Sequence, residues 1–149
     1  MFERYTERAR RALFFSRLAI SQLGGEAIET EYLLLGLVRE AKSFTGDVFD
    51  RAELQFDALR TDVQTRMSGR QRLPTTVEIP FTEETKRILH AAVAEANRLG
   101  HDYVGTEHLL LGILCEPETG AAQILASHGI KRDVVREEIA RATKRSDAG

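Results

Sequence analysis

The chain has 149 residues, of which 42% are apolar, and its 21 basic and 23 acidic residues give a net charge of −2. This composition suits one domain with a packed core; the balanced charge does not favour nucleic acid as a partner, and no apolar run is long enough to cross a membrane. The single cysteine, Cys115, excludes an intrachain disulfide and indicates a reducing compartment, so we expect a cytoplasmic protein.

The first predicted helix starts at Thr6, a favoured N-cap residue, and ends before Gly24, a residue type common just beyond helix ends. A second helix starts at Thr30, where a carboxylate and a dense leucine cluster follow. That helix is apolar on nearly all sides, so it should be the most buried element. Two shorter helices and a linker containing Gly and Pro are predicted next, at about residues 46–53, 57–67 and 68–80.

The same elements recur 76 positions further along the chain. The string TEYLLLGL at residues 30–37 returns as TEHLLLGI at residues 106–113, and the alignment needs no gap over the two halves. The second set of helices is therefore predicted at about residues 82–99, from residue 106, and at 120–128 and 133–144. Gly36 and Gly112 lie inside the leucine-rich helices, where glycine costs about 1 kcal/mol, so we expect close helix approach there.

The duplication predicts an all-α fold of two four-helix repeats, about eight helices in all. Repeat 1 covers about residues 2–67 and repeat 2 about residues 81–144, and each alone would be marginal in size. We therefore expect the repeats to pack together as one domain, 1–149.

Motifs for catalysis and metal binding are absent from the sequence. It has no G-x-x-x-x-G-K-[ST] phosphate loop, no G-x-G-x-x-G and no H-E-x-x-H. Cys115 and His108 are seven residues apart, about 10 Å along a helix, which is too far for a nucleophile and its base. We expect no enzyme, no cofactor and no bound metal.

Three segments carry a resemblance to a known family: GTEHLLLGI at residues 105–113, IPFT at 79–82 and the opening MFERYT. Together they resemble the Clp N-terminal repeat domain, the substrate- and adaptor-recognition domain of ClpC-type AAA+ unfoldases. The resemblance covers about residues 2–143 and implies eight helices in two repeats related by a pseudo-twofold axis. It also implies binding of adaptors and of phosphoarginine-tagged proteins for delivery to a protease.

The resemblance implies that the carboxylates of Glu31 and Glu107 bind the ligand. It also implies that Thr6 and Thr82 lie beside the phosphate group of that ligand. Helix N-termini offer free N–H groups to phosphate, and a neighbouring carboxylate can accept hydrogen bonds from the guanidine nitrogens. The alternative is that these Thr-Glu pairs are ordinary helix starts. The candidate ligand-binding residues are Thr6, Thr30 and Glu31 in repeat 1, and Thr82, Thr106 and Glu107 in repeat 2.

Repeat 1 departs from the family string, since Glu29 and Tyr32 replace the usual Gly and His. A carboxylate added beside Glu31 would repel phosphate by about 1 kcal/mol at 4 Å in water. Repeat 2 is therefore the better candidate for a retained ligand site. The aromatic residues Phe2, Tyr5 and Phe81 are candidates for a protein-binding surface at the repeat junction, with core packing as the alternative.

The leading hypothesis is a non-enzymatic module that recognises substrates or adaptors of a Clp protease system and binds phosphoarginine. The alternative is a stand-alone regulator or decoy that binds the same ligands without delivering them to an ATPase. A third hypothesis, an enzyme on a helical bundle, would be favoured by turnover that survives mutation of Glu31 and Glu107.

Overall fold

The computed structural model describes residues 2–71 and 78–148, and from residue 144 onward it describes only the backbone. Part of the linker predicted at residues 68–80 lies outside this range. The described residues form eight helices, which confirms the all-α prediction of four helices in each repeat. In chain order they are α1 Glu7–Leu23, α2 Thr30–Glu40, α3 Ser43–Arg51, α4 Phe56–Arg66, α5 Glu83–Arg98, α6 Thr106–Leu114, α7 Gly120–Ser127 and α8 Arg132–Ala148.

The first helix of each repeat starts at the predicted N-cap. Thr6 Oγ1 accepts the backbone N–H of Ala9 at 3.1 Å, and Thr82 Oγ1 accepts that of Thr85 at 3.2 Å. Both threonines have the same extended backbone, with φ −66° and ψ 162°. A threonine at this position satisfies one of the unpaired donors of the first helical turn.

The second helix of each repeat starts at Thr30 and at Thr106, as predicted, but these threonines are not its N-cap residues. Its N-cap is Glu29 in α2 and Gly105 in α6, so Thr30 and Thr106 are the first helical residues. Their hydroxyl groups do not cap their own helices. Thr30 Oγ1 instead accepts the N–H of Ala121 in α7, at 3.2 Å.

Helices α2 and α6 lie at the centre of the domain, as the apolar strings predict. Each packs mainly on the first helix of its own repeat, α2 on α1 and α6 on α5. At Gly112 an added Cβ would lie 2.5 Å from the carbonyl oxygen of Ile88, and at Gly36 it would overlap that of Ala12. The close approach expected at both glycines is therefore present. The leucine side chains of the two strings are at most 3% exposed: Leu33, Leu34, Leu35, Leu109, Leu110 and Leu111.

The two repeats are joined by extended segments that cross between them. Tyr5 pairs in parallel with Val104, and Ile28 pairs in parallel with Phe81. The N–H of Thr6 donates to Val104 O at 2.9 Å, and the N–H of Thr82 donates to Ile28 O at 3.2 Å. These bonds place the start of α1 beside the start of α6, and the start of α5 beside that of α2. In the described residues no helix is both long and apolar enough to span a bilayer.

Candidate functional site

The starts of α1, α3 and α6 meet at a surface cavity of about 410 Å³ that lies between the two repeats. We call it the Glu107 site, and its polar lining includes Thr6, Glu7, Arg8, Lys42, Ser43 and Glu107. Thr106 Oγ1 lies 3.4 Å from Thr45 Oγ1, which holds the start of α6 against α3. Three helix N-termini therefore direct the positive ends of their dipoles towards one place, a setting that favours an anion.

Side chains on two helices add positive charge to this cavity. Arg8 Nη1 donates a hydrogen bond to Ser43 Oγ at 3.1 Å, and Lys42 lies at the adjoining N-cap of α3. Ser43 has φ 52°, a left-handed conformation that costs a non-glycine residue free energy. The Arg8 side of the cavity thus offers a guanidinium, an ammonium and a hydroxyl group to an anionic ligand.

Glu107 brings a carboxylate to the same cavity. Burial raises the pKa of Glu107, and its own backbone N–H and the Arg8 guanidinium oppose that shift. The carboxylate lies over Gly105, where an added Cβ would overlap it. Glycine at the N-cap is what leaves room for this conformation. A half-buried carboxylate of this kind can accept hydrogen bonds from a ligand that carries N–H groups.

The repeated half of the chain builds a second version of the arrangement, which we call the Glu31 site. It contains Thr30, Glu31 and Gly120, and its residues at the positions matching Thr6, Arg8 and Lys42 are Thr82, Glu84 and Glu118. Thr30 Oγ1 donates to Glu31 Oε1 at 2.9 Å. The Glu31 carboxylate lies over Gly120 at the start of α7, where an added Cβ would overlap it. Here too a glutamate of one repeat meets a helix N-terminus of the other.

The glycine beneath the carboxylate differs between the two sites. At the Glu107 site it is Gly105, the N-cap of the helix that carries the glutamate; its counterpart 76 positions earlier is Glu29. At the Glu31 site the glycine is Gly120, whose counterpart is Phe44 on α3. A side chain at Glu29 keeps Glu31 from folding back over its own N-cap, so Glu31 reaches across to α7 instead.

The charges of the two sites are opposite at matching positions. Arg8 corresponds to Glu84 and Lys42 to Glu118, each 76 residues apart. At the Glu31 site, Arg70 pairs with Glu29 and Arg87 pairs with Glu116 at 2.8 Å, so both guanidinium groups already have carboxylate partners. Desolvation raises the pKa of Glu29, which Arg70 opposes. The carboxylates around the Glu31 site therefore add negative charge, whereas Arg8 and Lys42 add positive charge at the matching positions of the Glu107 site.

A chain of hydrogen bonds lies behind the Glu107 site. The N–H of Gly105 donates to His108 Nδ1 at 2.9 Å, His108 Nε2 lies 2.7 Å from His101 Nδ1, and His101 Nε2 lies 2.8 Å from Thr143 Oγ1. This network assigns the proton of His108 to Nε2, because Nδ1 is an acceptor. Burial lowers the pKa of His108 to about 4. The two imidazole rings connect the N-cap of α6 to α8.

The structure brings the sequence-predicted site residues together across the repeats rather than within them. Thr6 joins Thr106 and Glu107, and Thr82 joins Thr30 and Glu31. The sequence alone groups Thr6 with Glu31 in repeat 1 and Thr82 with Glu107 in repeat 2. The structure groups them differently, because the extended segments before α1 and α5 cross to the other repeat.

Sequence reasoning missed the basic and hydroxyl side chains of the Glu107 site. Arg8 follows the Thr6 cap by two residues, and Lys42 and Ser43 lie in a segment that departs from repeat 2. The 76-residue alignment contains a signal for them, since it places Ser43 opposite Thr119 and shows both charge reversals.

The candidate aromatic surface is only partly exposed. Tyr5 is 5% exposed, and its burial raises the pKa of its hydroxyl to about 12. Phe2 lies edge-on against Tyr5 at 5.0 Å and 6.1 Å from Phe81. Phe2 and Phe81 are half-buried and line an apolar groove of about 720 Å³, with Leu13, Phe14 and Ile79 also in its wall. Tyr5 therefore supports this groove from the core rather than lining it.

Comparisons with known proteins agree with the fold and with the duplication. The model of the Clp repeat (R) N-terminal domain matches residues 4–127 and, in a second match, 80–148. Over 141 residues the chain is 38% identical to "Chaperone protein ClpC1, chloroplastic" of Oryza sativa subsp. japonica, covering 95% of this chain and 15% of that protein. It is 37% identical over 139 residues to "ATP-dependent Clp protease ATP-binding subunit ClpA homolog" of Porphyra purpurea, covering 93% of this chain and 17% of that protein.

Solved structures show the same architecture. The N-terminal domain of the chaperone ClpD from Arabidopsis thaliana superposes with a TM-score of 0.76 and 29% identity, covering 97% of this chain and 99% of that one. The N-domain of ClpV from Vibrio cholerae has a TM-score of 0.76 at 17% identity over 94% of this chain and 85% of that one, which supports the fold alone. The chain belongs to the Clp repeat N-terminal domain family.

Proposed function

We propose that this domain is a non-enzymatic recognition module for substrates or adaptors of a Clp unfoldase, and that its Glu107 site binds phosphorylated arginine side chains. The observation that carries the proposal is the convergence of three helix N-termini, Arg8 and Lys42 beside the Glu107 carboxylate. A location in the cytoplasm is part of the same proposal and rests on the single cysteine.

The two ends of the cavity match the two ends of the ligand. The phosphoryl group is anionic and accepts hydrogen bonds, so it fits the Thr6 and Arg8 side, where backbone N–H groups and cations converge. The guanidine nitrogens carry N–H groups, which fit the Glu107 carboxylate. Unmodified arginine lacks the phosphoryl group and would meet Arg8 and Lys42 with like charge. The site therefore favours the phosphorylated form.

In this proposal the Glu31 site does not bind phosphoarginine. Glu84 and Glu118 replace the two cations, so the second site lacks the charge needed for phosphate. We accordingly expect one phosphoarginine for each chain. The apolar groove between Phe2 and Phe81 is the second contact region, where apolar side chains of a substrate or adaptor would bind.

Titration calorimetry with free phosphoarginine tests the proposal. We expect one binding site in the unmodified chain and at least tenfold weaker binding in Glu107→Ala, because removing a carboxylate that pairs with charged N–H groups costs about 1.5–3 kcal/mol. Glu31→Ala is the matched control, since Glu31 is the counterpart in the other site, and its isotherm should be unchanged.

Two results would contradict the assignment. An unmodified chain that gives no heat of binding removes the site altogether. The second is an equal loss of affinity for phosphoarginine in Glu107→Ala and Glu31→Ala, or a stoichiometry of two ligands for each chain. Either would show that the charge reversal at Glu84 and Glu118 does not prevent binding at the Glu31 site.

The decoy hypothesis uses the same residues and differs only in what happens to the bound protein. Adding the isolated domain to a reaction in which a Clp unfoldase and protease degrade a phosphoarginine-tagged protein distinguishes the two. A decoy slows degradation in proportion to site occupancy, and the Glu107→Ala variant does not slow it. A delivering module accelerates degradation when it is joined to the unfoldase.

A further inference from the structure

The hydrogen bonds behind the N-cap of α6 all run in one direction, and each donor in them has an acceptor. Because the N–H of Gly105 donates to His108 Nδ1, the ring of His108 donates through Nε2 to His101 Nδ1. His101 Nε2 then donates to Thr143 Oγ1, and the Thr143 hydroxyl donates to Ile139 O at 3.0 Å. The backbone of the N-cap is therefore tied to α8 through two histidine rings.

Burial leaves this chain of hydrogen bonds little freedom to rearrange. His108 is 0% exposed and His101 is 7% exposed. Turning either ring would leave a buried donor or acceptor without a partner, which costs free energy. His108 Nδ1 is thereby kept as the acceptor for the Gly105 N–H.

Gly105 in turn supports the Glu107 carboxylate. An added Cβ at Gly105 would overlap Glu107 Oε1, so the carboxylate lies directly against this N-cap. His108 is the third residue of α6 and accepts the N-cap N–H, as the acidic or amide side chain of a capping box does. With that donor satisfied by a histidine, the Glu107 carboxylate keeps acceptor sites for a ligand.

Repeat 1 provides an internal comparison, since it lacks every member of the chain. The positions 76 residues before Gly105, His108, His101 and Thr143 hold, in that order, Glu29, Tyr32, Gly25 and Met67. The Tyr32 hydroxyl donates to Gly24 O instead, and the Glu31 carboxylate lies over Gly120 of the other repeat rather than over its own N-cap. The histidine chain and the folded-back carboxylate occur together in repeat 2, and neither occurs in the described residues of repeat 1.

We propose that His108 and His101 are positioning residues for the ligand carboxylate of Glu107. This proposal rests on the proposed function of the Glu107 site and deepens it. His108 holds the N-cap backbone against which the carboxylate lies, and His101 supports His108 by accepting its Nε2–H. The two rings act through Gly105 rather than by contact with phosphoarginine.

Paired substitutions of His108 separate positioning from general support of the fold. His108→Leu removes the acceptor for the Gly105 N–H, and we expect calorimetry to show about tenfold weaker binding of free phosphoarginine. His108→Asn places Oδ1 where Nδ1 was, so it should bind within about threefold of the unmodified chain. His128→Leu is the matched control, because it removes a histidine that pairs with Ala52 O elsewhere in the domain; its affinity should be unchanged.

The same comparison at His101 tests the second ring. His101→Asn keeps an acceptor for His108 Nε2–H, whereas His101→Leu removes it. We expect the leucine variant to bind phosphoarginine about threefold or more weakly than the asparagine variant. Imidazole ¹⁵N spectra of the unmodified chain at about pH 8 should show both rings protonated on Nε2.

The ionisation of Glu107 gives a readout that needs no ligand. Burial raises the pKa of Glu107 in the folded domain, so a carboxylate that moves into water should titrate nearer to its ordinary value. Carboxyl ¹³C NMR should show this fall in pKa for His108→Leu and no fall for His108→Asn or His128→Leu.

The outcomes separate failure of the positioning role from failure of the ligand site. Absence of phosphoarginine binding by the unmodified chain overturns the proposed function, and the Glu107 titrations still test positioning. Equal losses of affinity in His108→Leu and His108→Asn, an unchanged pKa of Glu107 in His108→Leu, or a proton on His108 Nδ1 would refute the positioning role. If His108→Leu does not fold, equal affinities of His101→Leu and His101→Asn refute it.

Discussion

Replacing Gly112 with alanine is expected to lower the free energy of unfolding by about 3 kcal/mol, a large part of the stability of a domain of this size. The new Cβ would lie 2.5 Å from the carbonyl oxygen of Ile88 and 3.1 Å from the backbone nitrogen of Ala92. Backbone atoms of α5 cannot rotate away as a side chain can, so α5 and α6 must separate. The gain in helix propensity, about 1 kcal/mol, offsets only part of this cost.

Chemical denaturation of the variant measures this loss, and Gly46→Ala provides the matched control. Gly46 is also a helical glycine, but an added Cβ there would meet its nearest atom, Ala41 O, at 3.4 Å, an ordinary contact. We expect Gly46→Ala to be neutral or to stabilise the domain by up to about 1 kcal/mol. Equal effects of the two substitutions would refute close packing as the reason for glycine in α6.

Acidification from pH 6.5 to pH 4 is expected to reduce the free energy of unfolding through His108, by on the order of 3 kcal/mol. Burial lowers the pKa of His108 from 6.5 to about 4 in the folded domain. Between these two values the unfolded chain binds a proton that the folded domain does not bind. Stability is therefore lost as the pH falls through this window, and the contribution of His108 becomes constant below pH 4.

The neutral state of His108 follows from its hydrogen bonds. Its Nδ1 accepts the N–H of Gly105, so protonation there would remove an acceptor from a buried donor. The neighbouring side chains act in opposite directions, since His101 and Arg4 lower the pKa of His108 and Glu95 raises it. The first cause remains burial, because the ring of His108 is 0% exposed.

Denaturation curves from pH 4 to pH 7 for the unmodified chain and for His108→Asn test this prediction. The asparagine Oδ1 can accept the Gly105 N–H and does not titrate, so the pH slope of the variant should be flatter. Glu107 contributes a slope of the opposite sign, because its pKa is raised in the folded state; the difference between the two curves removes that contribution. Parallel curves would rule out His108 as the titrating group.

Local chemistry allowed much of the fold to be predicted from the sequence. The Thr6 and Thr82 caps depend on residues within one helical turn, and both were identified correctly. The burial of α2 and α6 follows from composition, and the need for Gly36 and Gly112 follows from the cost of glycine in a helix. The helix starts at Thr30 and Thr106 were also identified correctly, although the hydroxyl groups of these threonines bond to the other repeat instead of capping their own helices.

The composition of the candidate sites could not be predicted in the same way. Glu31 lies against Gly120 and Glu107 shares its cavity with Arg8, and each pair is distant in sequence. These contacts depend on how the extended segments before α1 and α5 cross, which no local pattern records. The charge reversal from Arg8 to Glu84 is visible in the alignment, but its meaning requires knowing that both residues line surface cavities.

The central claim is that one ligand site is built from both repeats, with the phosphate side at Thr6 and Arg8 and the carboxylate at Glu107. Backbone amide NMR during titration with phosphoarginine tests it most directly, because every segment reports separately. We predict saturable shifts confined to amides near residues 6–8, 43–45 and 105–107, with those near residues 29–31, 82–84 and 118–121 unaffected. Shifts of equal size and midpoint at the second set, or shifts within a single repeat, would contradict this account.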